Sequence, residues 1–225
     1  MKALVLCSGG VDSTTLLAMV VKQYGKDNVI ALSMSYGQKH EKELETAQLI
    51  SDYYEVEQLF LDLAKIFQYS NCSLLSHSTE ELPQGSYGDQ TRDTSIPVSS
   101  YVPFRNGLFL STAASIALSK ECDVIYYGAH HDDVAGNAYP DCSKEFVDAM
   151  NTAIIEGSGN QISIEAPFVT WSKADIIKKG LELSVPYDKT WSCYEGNETP
   201  CNTCGTCVDR QKAFTLNGVT DPLCK

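Results

Sequence analysis

The sequence predicts an α/β protein built on a doubly wound parallel sheet, with a cysteine-rich segment at its C-terminal end. Short apolar runs alternate with segments in which apolar residues recur every three or four positions, and this alternation is typical of a parallel sheet covered by helices on both faces. From Trp191 onward the composition changes, and this tail holds five of the nine cysteines. The 225 residues, 43% of them hydrophobic, are enough to enclose one sizeable core.

The predicted strands and helices follow one another in this alternating order. Strands are predicted where short runs are aliphatic or β-branched, at 2–6, 28–37, 55–63, 123–130 and 162–168. Helices are predicted where an apolar stripe has helical spacing, at 12–25, 40–54, 105–121, 143–157 and 172–184. Ser172 and Asp175 have the spacing of a capping box. We expect the polar stretch 76–101 to be irregular, residues 1–188 to form the α/β domain, and residues 189–225 to form a segment packed on it.

The charge and hydropathy of the chain exclude some classes of function. A formal net charge of −12 argues against a broad nucleic-acid-binding face, because phosphate contacts require clustered Lys and Arg. No apolar run reaches the length of a membrane span. The apolar stretch near the N-terminus is broken by Ser8, Gly9 and Gly10 too early for a signal peptide. We therefore expect a cytoplasmic protein that acts on small molecules.

A glycine-rich turn, SGGVDS at residues 8–13, follows the first predicted strand directly. Gly9 and Gly10 let the backbone turn sharply and approach a ligand closely. The backbone N–H groups of such a turn, at the start of a helix, favour an anion. The lysine of a Walker-type loop is absent, and Asp12 stands in the turn instead, where it could hold Mg²⁺. The alternative is a simple strand-to-helix turn capped by Asp12 or Ser13, but the complete string favours a phosphate-binding loop.

Four cysteines of the tail have the spacing of a metal site. Cys193, Cys201, Cys204 and Cys207 form the pattern C-x7-C-x2-C-x2-C, whose thiolates can surround one ion. Four thiolates leave no open position, so the expected role is structural, with zinc favoured and an iron–sulfur cluster as the alternative. The remaining cysteines are expected to be buried or incidental: Cys7, Cys72, Cys122, Cys142 and Cys224.

Polar motifs follow several predicted strands, at 8–13, 36–40, 128–133 and 165–173. In a doubly wound sheet, ligands bind beyond the carboxyl ends of the strands. The topology therefore predicts that these four motifs converge on one edge of the sheet.

The string SGGVDS resembles the signature of the PP-loop ATP pyrophosphatases, which cleave ATP to AMP and pyrophosphate. Within that superfamily the chain resembles the 7-cyano-7-deazaguanine synthase family, enzymes on the route to the tRNA base queuosine. The resemblance spans nearly the whole chain. It rests on LCSGGVDSTTLLA (6–18), SYGQKHEKELE (35–45), VPFRNGLFLS (102–111), GAHHDDVAGNAYPDC (128–142), APFVTWSKADI (166–176) and TWSCYEG (190–196).

The resemblance implies an adenine nucleotide alpha hydrolase-like, Rossmann-like fold and a homodimer. It implies a carbon–nitrogen ligase that uses ATP with Mg²⁺, adenylates a carboxylate and then an amide, and produces a nitrile from 7-carboxy-7-deazaguanine and ammonia. The ATP-binding residues would be Ser8, Gly9, Gly10, Val11, Asp12, Ser13, Thr14, Thr15, Leu16, Leu17 and Ala18. The residues acting in catalysis would be Asp12, Ser13, Arg105, His131, Asp132 and Lys173. The cysteine cluster would bind structural zinc.

Individual roles can be assigned on this hypothesis. The five donors of Arg105 suit a carboxylate or a phosphate. The cluster 130–133, HHDD, offers carboxylates for Mg²⁺ and imidazoles for proton transfer. Lys173 lies at a helix start, where the dipole disfavours a cation unless an anion is present. Aromatic side chains could stack on a flat bicyclic base. These are Tyr101, Phe104, Tyr139 and Trp191.

A second function remains open at this point. Other PP-loop enzymes transfer sulfur or an amine to tRNA itself. That function would make the cysteine cluster catalytic or iron–sulfur, and it would require a basic RNA-binding face, against which the net charge argues.

Overall fold

Five parallel strands form one sheet in the order β3-β2-β1-β4-β5. The computed structural model describes residues 1–39, 42–83, 98–134 and 138–224, and the statements below concern these residues. The strands are β1 (Ala3–Leu6), β2 (Val29–Ser35), β3 (Glu57–Asp62), β4 (Val124–Tyr126) and β5 (Ser163–Glu165). Ala3 pairs with Val29 on one side and with Val124 on the other. The predicted parallel sheet is confirmed, with strands shorter than their apolar runs.

The helices cover both faces of the sheet. They are α1 (Val11–Tyr24), α2 (Lys42–Tyr54), α3 (Arg105–Ser119), α4 (His131–Val134), α5 (Lys144–Gly157), α6 (Lys173–Glu182) and α7 (Gly205–Leu216). Alternate residues of β1 enter different cores. Ala3 and Val5 join side chains of α1, α2 and α6, whereas Leu4 joins side chains of α3 and α5. This arrangement confirms the doubly wound fold.

Most element boundaries agree with the sequence-based expectations. The capping box of α6 is present, because Ser172 Oγ accepts from the backbone of Asp175 and the Asp175 carboxylate accepts from the backbone of Ser172. The start of the helix predicted at 40–54 lies outside the described residues, as do 84–97 within the stretch expected to be irregular. The one-turn helix α4 was not predicted. None of the described helices is long and apolar enough to cross a bilayer.

The C-terminal segment packs directly on the sheet domain. Ala213 and Phe214 of α7 share a hydrophobic cluster with Val11 of α1 and Ile177 of α6. Arg210 of α7 forms a buried, bidentate ion pair with Asp221, with N–O distances of 2.7 and 3.0 Å. Its guanidinium also donates to backbone and side-chain oxygens of residues 187–192. This network ties the segment to the chain that leads into it, and the division at residue 188 stays a prediction.

Candidate active site

A cavity of about 250 Å³ opens at the carboxyl ends of the strands. Its walls include residues that follow β1, β2 and β4, and the strand order reverses between β1 and β4. Ligands bind at this point in doubly wound sheets. Residues of all four predicted polar motifs line the cavity, the fourth motif through Lys173.

The glycine-rich turn after β1 forms one wall of the cavity. Gly9 has φ +77°, and a Cβ there would lie 2.6 Å from the backbone nitrogen of Ala47 in α2. Gly10 is the N-cap of α1, and no side chain caps the helix. Ser13 Oγ accepts from the backbone N–H of Ser8 and holds the turn closed. The turn thus presents the start of a 14-residue helix to the cavity, an arrangement that suits a phosphate.

Only part of the predicted ATP-binding set lines the cavity. Ser8, Gly10, Val11, Asp12 and Ser13 do so. The other six do not: Gly9 packs against α2, and α1 carries the remaining five away from the turn, namely Thr14, Thr15, Leu16, Leu17 and Ala18. The side chains of the last three are buried in the hydrophobic core, and the Thr15 hydroxyl lies 2.7 Å from that of Tyr187. The structure gives these residues a supporting position behind the loop.

A compact cluster of charges lies beside the turn. Lys173 Nζ donates to Asp12 Oδ2 at 2.8 Å and lies 3.4 Å from His130 Nε2. His130 Nε2 is also 3.3 Å from Asp133 Oδ1. Two buried polar atoms of this cluster, Asp12 Oδ1 and His130 Nδ1, have no hydrogen-bond partner among the described residues. A buried carboxylate oxygen without a partner fits a metal-ligand position.

These neighbours set the protonation states of the cluster. Burial raises the pKa of Asp12, but the charges of Lys173 and His130 outweigh burial and hold this pKa below its ordinary value. Burial lowers the pKa of His130, but Asp133 and Asp12 outweigh it and raise this pKa. Burial also lowers the pKa of Lys173, but the charges of Asp12 and Asp133 together outweigh burial and raise this pKa. The cluster therefore keeps Asp12 ionised and Lys173 protonated around neutral pH.

Within the HHDD motif, the pair of residues that faces the charge cluster differs from the pair selected from the sequence, His131 and Asp132. The side chain of His131 is 71% exposed, and that of His130 only 3%. Asp132 Oδ2 accepts from the backbone N–H of Lys173 at 2.8 Å and so caps α6, whereas Asp133 lines the cavity. His130 and Asp133, three residues apart across the start of α4, are the pair that faces the charge cluster.

A second group of polar side chains lines the same cavity. Arg105, the first residue of α3, places its guanidinium carbon 4.9 Å from the ring centroid of Tyr36. Glu43, in the first turn of α2, lines the same cavity. The sequence analysis selected Arg105 but not Glu43, because an acid in the first turn of a helix is ordinarily a solvated residue. Of the aromatic candidates, Tyr139 and Trp191 line the cavity, and Tyr101 and Phe104 do not.

The four cysteines of the tail converge as their spacing predicts. Their Sγ atoms all lie within 4.8 Å of one another, and three of the four residues are buried. Backbone N–H groups of Glu195 and Cys201 donate to the sulfur of Cys193, and the neighbouring thiols lower the pKa of Cys204. Four sulfurs at this separation fit one tetrahedral zinc ion. Trp191 and Ser192, just before the cluster, line the cavity, so the cluster braces one of its walls.

The sheet order, the glycine-rich turn with its aspartate, and the facing lysine define the class of PP-loop enzymes that use ATP. The solved structure of NMN synthetase from Francisella tularensis is similar in fold, with a TM-score of 0.54 and 14% identity over 97% of this chain and 78% of that one. The U34-tRNA thiolase NcsA from Methanococcus maripaludis, described with its 4Fe–4S cluster, gives a TM-score of 0.53 and 14% identity over 97% and 65%. At this identity the likeness concerns the fold.

The sequence comparisons identify the family. The family model of queuosine biosynthesis protein QueC matches residues 2–218, and the chain belongs to this family. The 7-cyano-7-deazaguanine synthase of Archaeoglobus fulgidus is 42% identical over 99% of this chain and 90% of its own length. That of Caldicellulosiruptor saccharolyticus is 43% identical over 99% and 95%.

Proposed function

We propose that this protein converts 7-carboxy-7-deazaguanine and ammonia to 7-cyano-7-deazaguanine at the expense of ATP, as a carbon–nitrogen ligase of queuosine biosynthesis. The observation that carries the proposal is the match of residues 2–218 to the QueC family. Curated relatives named 7-cyano-7-deazaguanine synthase align over 99% of the chain. The cavity at the carboxyl edge of the sheet, with its glycine-rich turn, supports a reaction that handles a triphosphate.

The proposed reaction turns a poor leaving oxygen into a good one twice. A carboxylate oxygen of the base attacks the α-phosphorus of ATP, and pyrophosphate leaves. Ammonia attacks the acyl carbon, loses a proton, and expels AMP to give the amide. The amide oxygen then attacks the α-phosphorus of a second ATP, and a second pyrophosphate leaves. Loss of AMP together with the remaining protons of the nitrogen leaves the nitrile.

The charge cluster supplies the residues for this chemistry. We assign the N–H groups at the start of α1, with the hydroxyls of Ser8 and Ser13, to the pyrophosphate end of ATP. Lys173 is assigned to the phosphate that bears the developing charge. Asp12, whose Oδ1 is buried without a partner among the described residues, would hold Mg²⁺. When bound, the ion neutralises charge on the phosphates.

Two further assignments follow from position. For proton transfer inside the cleft, the geometry favours His130 over the exposed His131. Asp132 is assigned to capping α6 and thereby to positioning Lys173. The four tail cysteines would hold one structural zinc ion. We further propose a cytoplasmic homodimer that takes small molecules, with ammonia supplied free in solution and no direct contact with nucleic acid.

Substrate-dependent product analysis tests the proposed function. Purified protein is incubated with ATP, Mg²⁺, ammonium and the carboxylated base, and AMP, ADP and nitrile are quantified. We expect two AMP per nitrile and no ADP. Lys173→Met should lower turnover by more than about 100-fold, because it removes the positive charge assigned to contact a phosphate and leaves the buried Asp12 without its ion-pair partner. Lys178→Met, on the exposed side of the same helix, is the matched control. Formation of ADP, or turnover by Lys173→Met at the control rate, would contradict the proposal.

A further inference from the structure

The side chain of Glu43 lines the cavity and has no hydrogen-bond partner among the residues that the structure describes. The residue projects from the first turn of α2 into the cavity wall that it shares with Tyr36 and Arg105. Within the described part of the chain, no hydrogen bond and no ion pair to this carboxylate is formed, although Arg105 is close enough to act on it electrostatically. Withdrawing an acid from water without compensating hydrogen bonds is costly.

The surroundings of Glu43 raise the pKa of its carboxyl group. Burial raises the pKa of Glu43 to about 7, and the charge of Arg105 offsets only part of this effect. The facing groups keep their protons, because burial raises the pKa of Tyr36 and neighbouring groups keep the pKa of Arg105 above its ordinary value despite burial. Around neutral pH, Glu43 is therefore the group at this wall that can change its protonation state. A perturbed acid inside a cavity is typical of a ligand-binding position.

The other charged wall of the cavity has the opposite character. Asp12, His130, Asp133 and Lys173 contact one another there, beside the turn that suits phosphate. A carboxylate at Glu43 would repel phosphate, so this wall requires a ligand group that donates hydrogen bonds. The cavity thus has one end suited to an anion and one end suited to a donor.

The proposed base has a matching polarity. Its carboxylate, the reacting group, is on the five-membered ring. The opposite edge of its six-membered ring presents a ring N–H and an exocyclic amino group side by side, next to a carbonyl oxygen. Two neighbouring N–H donors fit the two oxygens of one carboxylate, and a carbonyl fits a guanidinium donor.

We propose that Glu43 is the specificity-determining residue for the base, its carboxylate accepting hydrogen bonds from the ring N–H and the exocyclic amino group while Arg105 donates to the adjacent carbonyl oxygen. The proposal rests on the proposed function and extends it to recognition of an aminopyrimidinone edge. It places the reactive carboxylate of the base toward the glycine-rich turn. It leaves ATP binding independent of Glu43.

Calorimetric binding of the base in the absence of ATP tests this role. Wild-type protein should bind 7-carboxy-7-deazaguanine about 10- to 100-fold more tightly than the same compound without the exocyclic amino group. Glu43→Gln should lose about 10- to 100-fold in affinity for the full base and discriminate less than about 3-fold, because an amide cannot accept two N–H bonds with both of its terminal atoms. Its KM for ATP should stay within about 3-fold of the wild-type value. Glu45→Gln, the same change on the exposed side of α2, is the matched control.

A proton-linkage readout separates recognition from a structural role. Two N–H donors on the carboxylate favour its ionised form, so binding of the base near pH 7 should release a fraction of a proton. Titrations in buffers of different ionisation enthalpy should show this release for wild type and Glu45→Gln and not for Glu43→Gln. Glu43→Asp, which keeps the charge but withdraws it by one methylene, should also bind the base more weakly and serves if Glu43→Gln does not fold.

The outcomes distinguish the two levels of the proposal. If Glu43→Gln discriminates between the two bases and releases protons as the wild type does, with turnover intact, the role of Glu43 is overturned and the proposed function stands. Wild-type protein that neither binds nor converts the carboxylated base would overturn both.

Discussion

Replacing Gly9 by alanine tests how the glycine-rich turn is held against α2. The substitution forces a side chain into a left-handed conformation, which costs about 1–2 kcal/mol. It also places Cβ 2.6 Å from the backbone nitrogen of Ala47 and 2.9 Å from the backbone of Thr46. Backbone cannot move aside as a flexible side chain does, so overpacking adds about 1–3 kcal/mol. We expect Gly9→Ala to lose roughly 2–5 kcal/mol of unfolding free energy.

Denaturant unfolding without ligands measures this loss, and two controls divide it into its parts. Gly159 has φ +64°, and a Cβ at that residue would meet no atom within 4 Å, so Gly159→Ala reports the conformational cost alone, about 1 kcal/mol. Gly10 has negative φ, and a Cβ there would meet no atom closer than 3.5 Å, so Gly10→Ala should keep its stability. Since Gly10 lines the cavity, that variant should instead bind ATP more weakly. A Gly9→Ala protein no less stable than Gly159→Ala would refute the packing of the turn against α2.

Three further predictions concern separate parts of the molecule. In ligand-free protein, Glu43 has a pKa raised from 4.5 to about 7, so the wild-type protein loses stability as the pH rises between these values. The free energy of unfolding of Glu43→Gln, relative to that of the wild type, should therefore be about 2–3 kcal/mol higher at pH 8 than at pH 5. An unchanged pH dependence of unfolding would contradict this. Asp221→Asn should cost about 3–5 kcal/mol in denaturant unfolding, because it leaves the buried charge of Arg210 without its ionised partner; a loss below about 1 kcal/mol would show that the ion pair is dispensable. Cys204→Ser should abolish the binding of one zinc per chain in metal analysis, whereas Cys224→Ser, outside the cluster, should retain it; equal zinc content would contradict a site made of four thiolates.

The features predictable from the sequence are those encoded by neighbouring residues. The apolar runs and the turn at 8–13 predict the parallel sheet and the loop that follows its first strand. The cysteine spacing predicts a cluster whose sulfurs lie close together. The capping box of α6 is likewise local, since Ser172 and Asp175 are three residues apart. In each case the interaction that forms the feature lies within a short stretch of chain.

The features that could not be predicted depend on contacts between distant segments. Glu43 differs from other first-turn acids because the fold places it, half-buried, on the cavity wall beside Arg105. That His130, and not His131, lies beside Lys173 depends on how the chain around α4 is oriented toward a residue more than 40 positions away. The need for glycine at position 9 comes from the backbone of α2. Such contacts leave no local pattern in the sequence.

Isotope transfer from substrate to product tests the central claim that this protein adenylates an oxygen of its substrate. The base is prepared with ¹⁸O at both carboxylate oxygens and incubated with unlabelled ATP and ammonium, and the AMP is analysed by mass spectrometry. If the substrate oxygen attacks the α-phosphorus, each AMP carries one ¹⁸O atom and pyrophosphate carries none. Unlabelled AMP, or label found in pyrophosphate or in orthophosphate formed with ADP, would contradict the account.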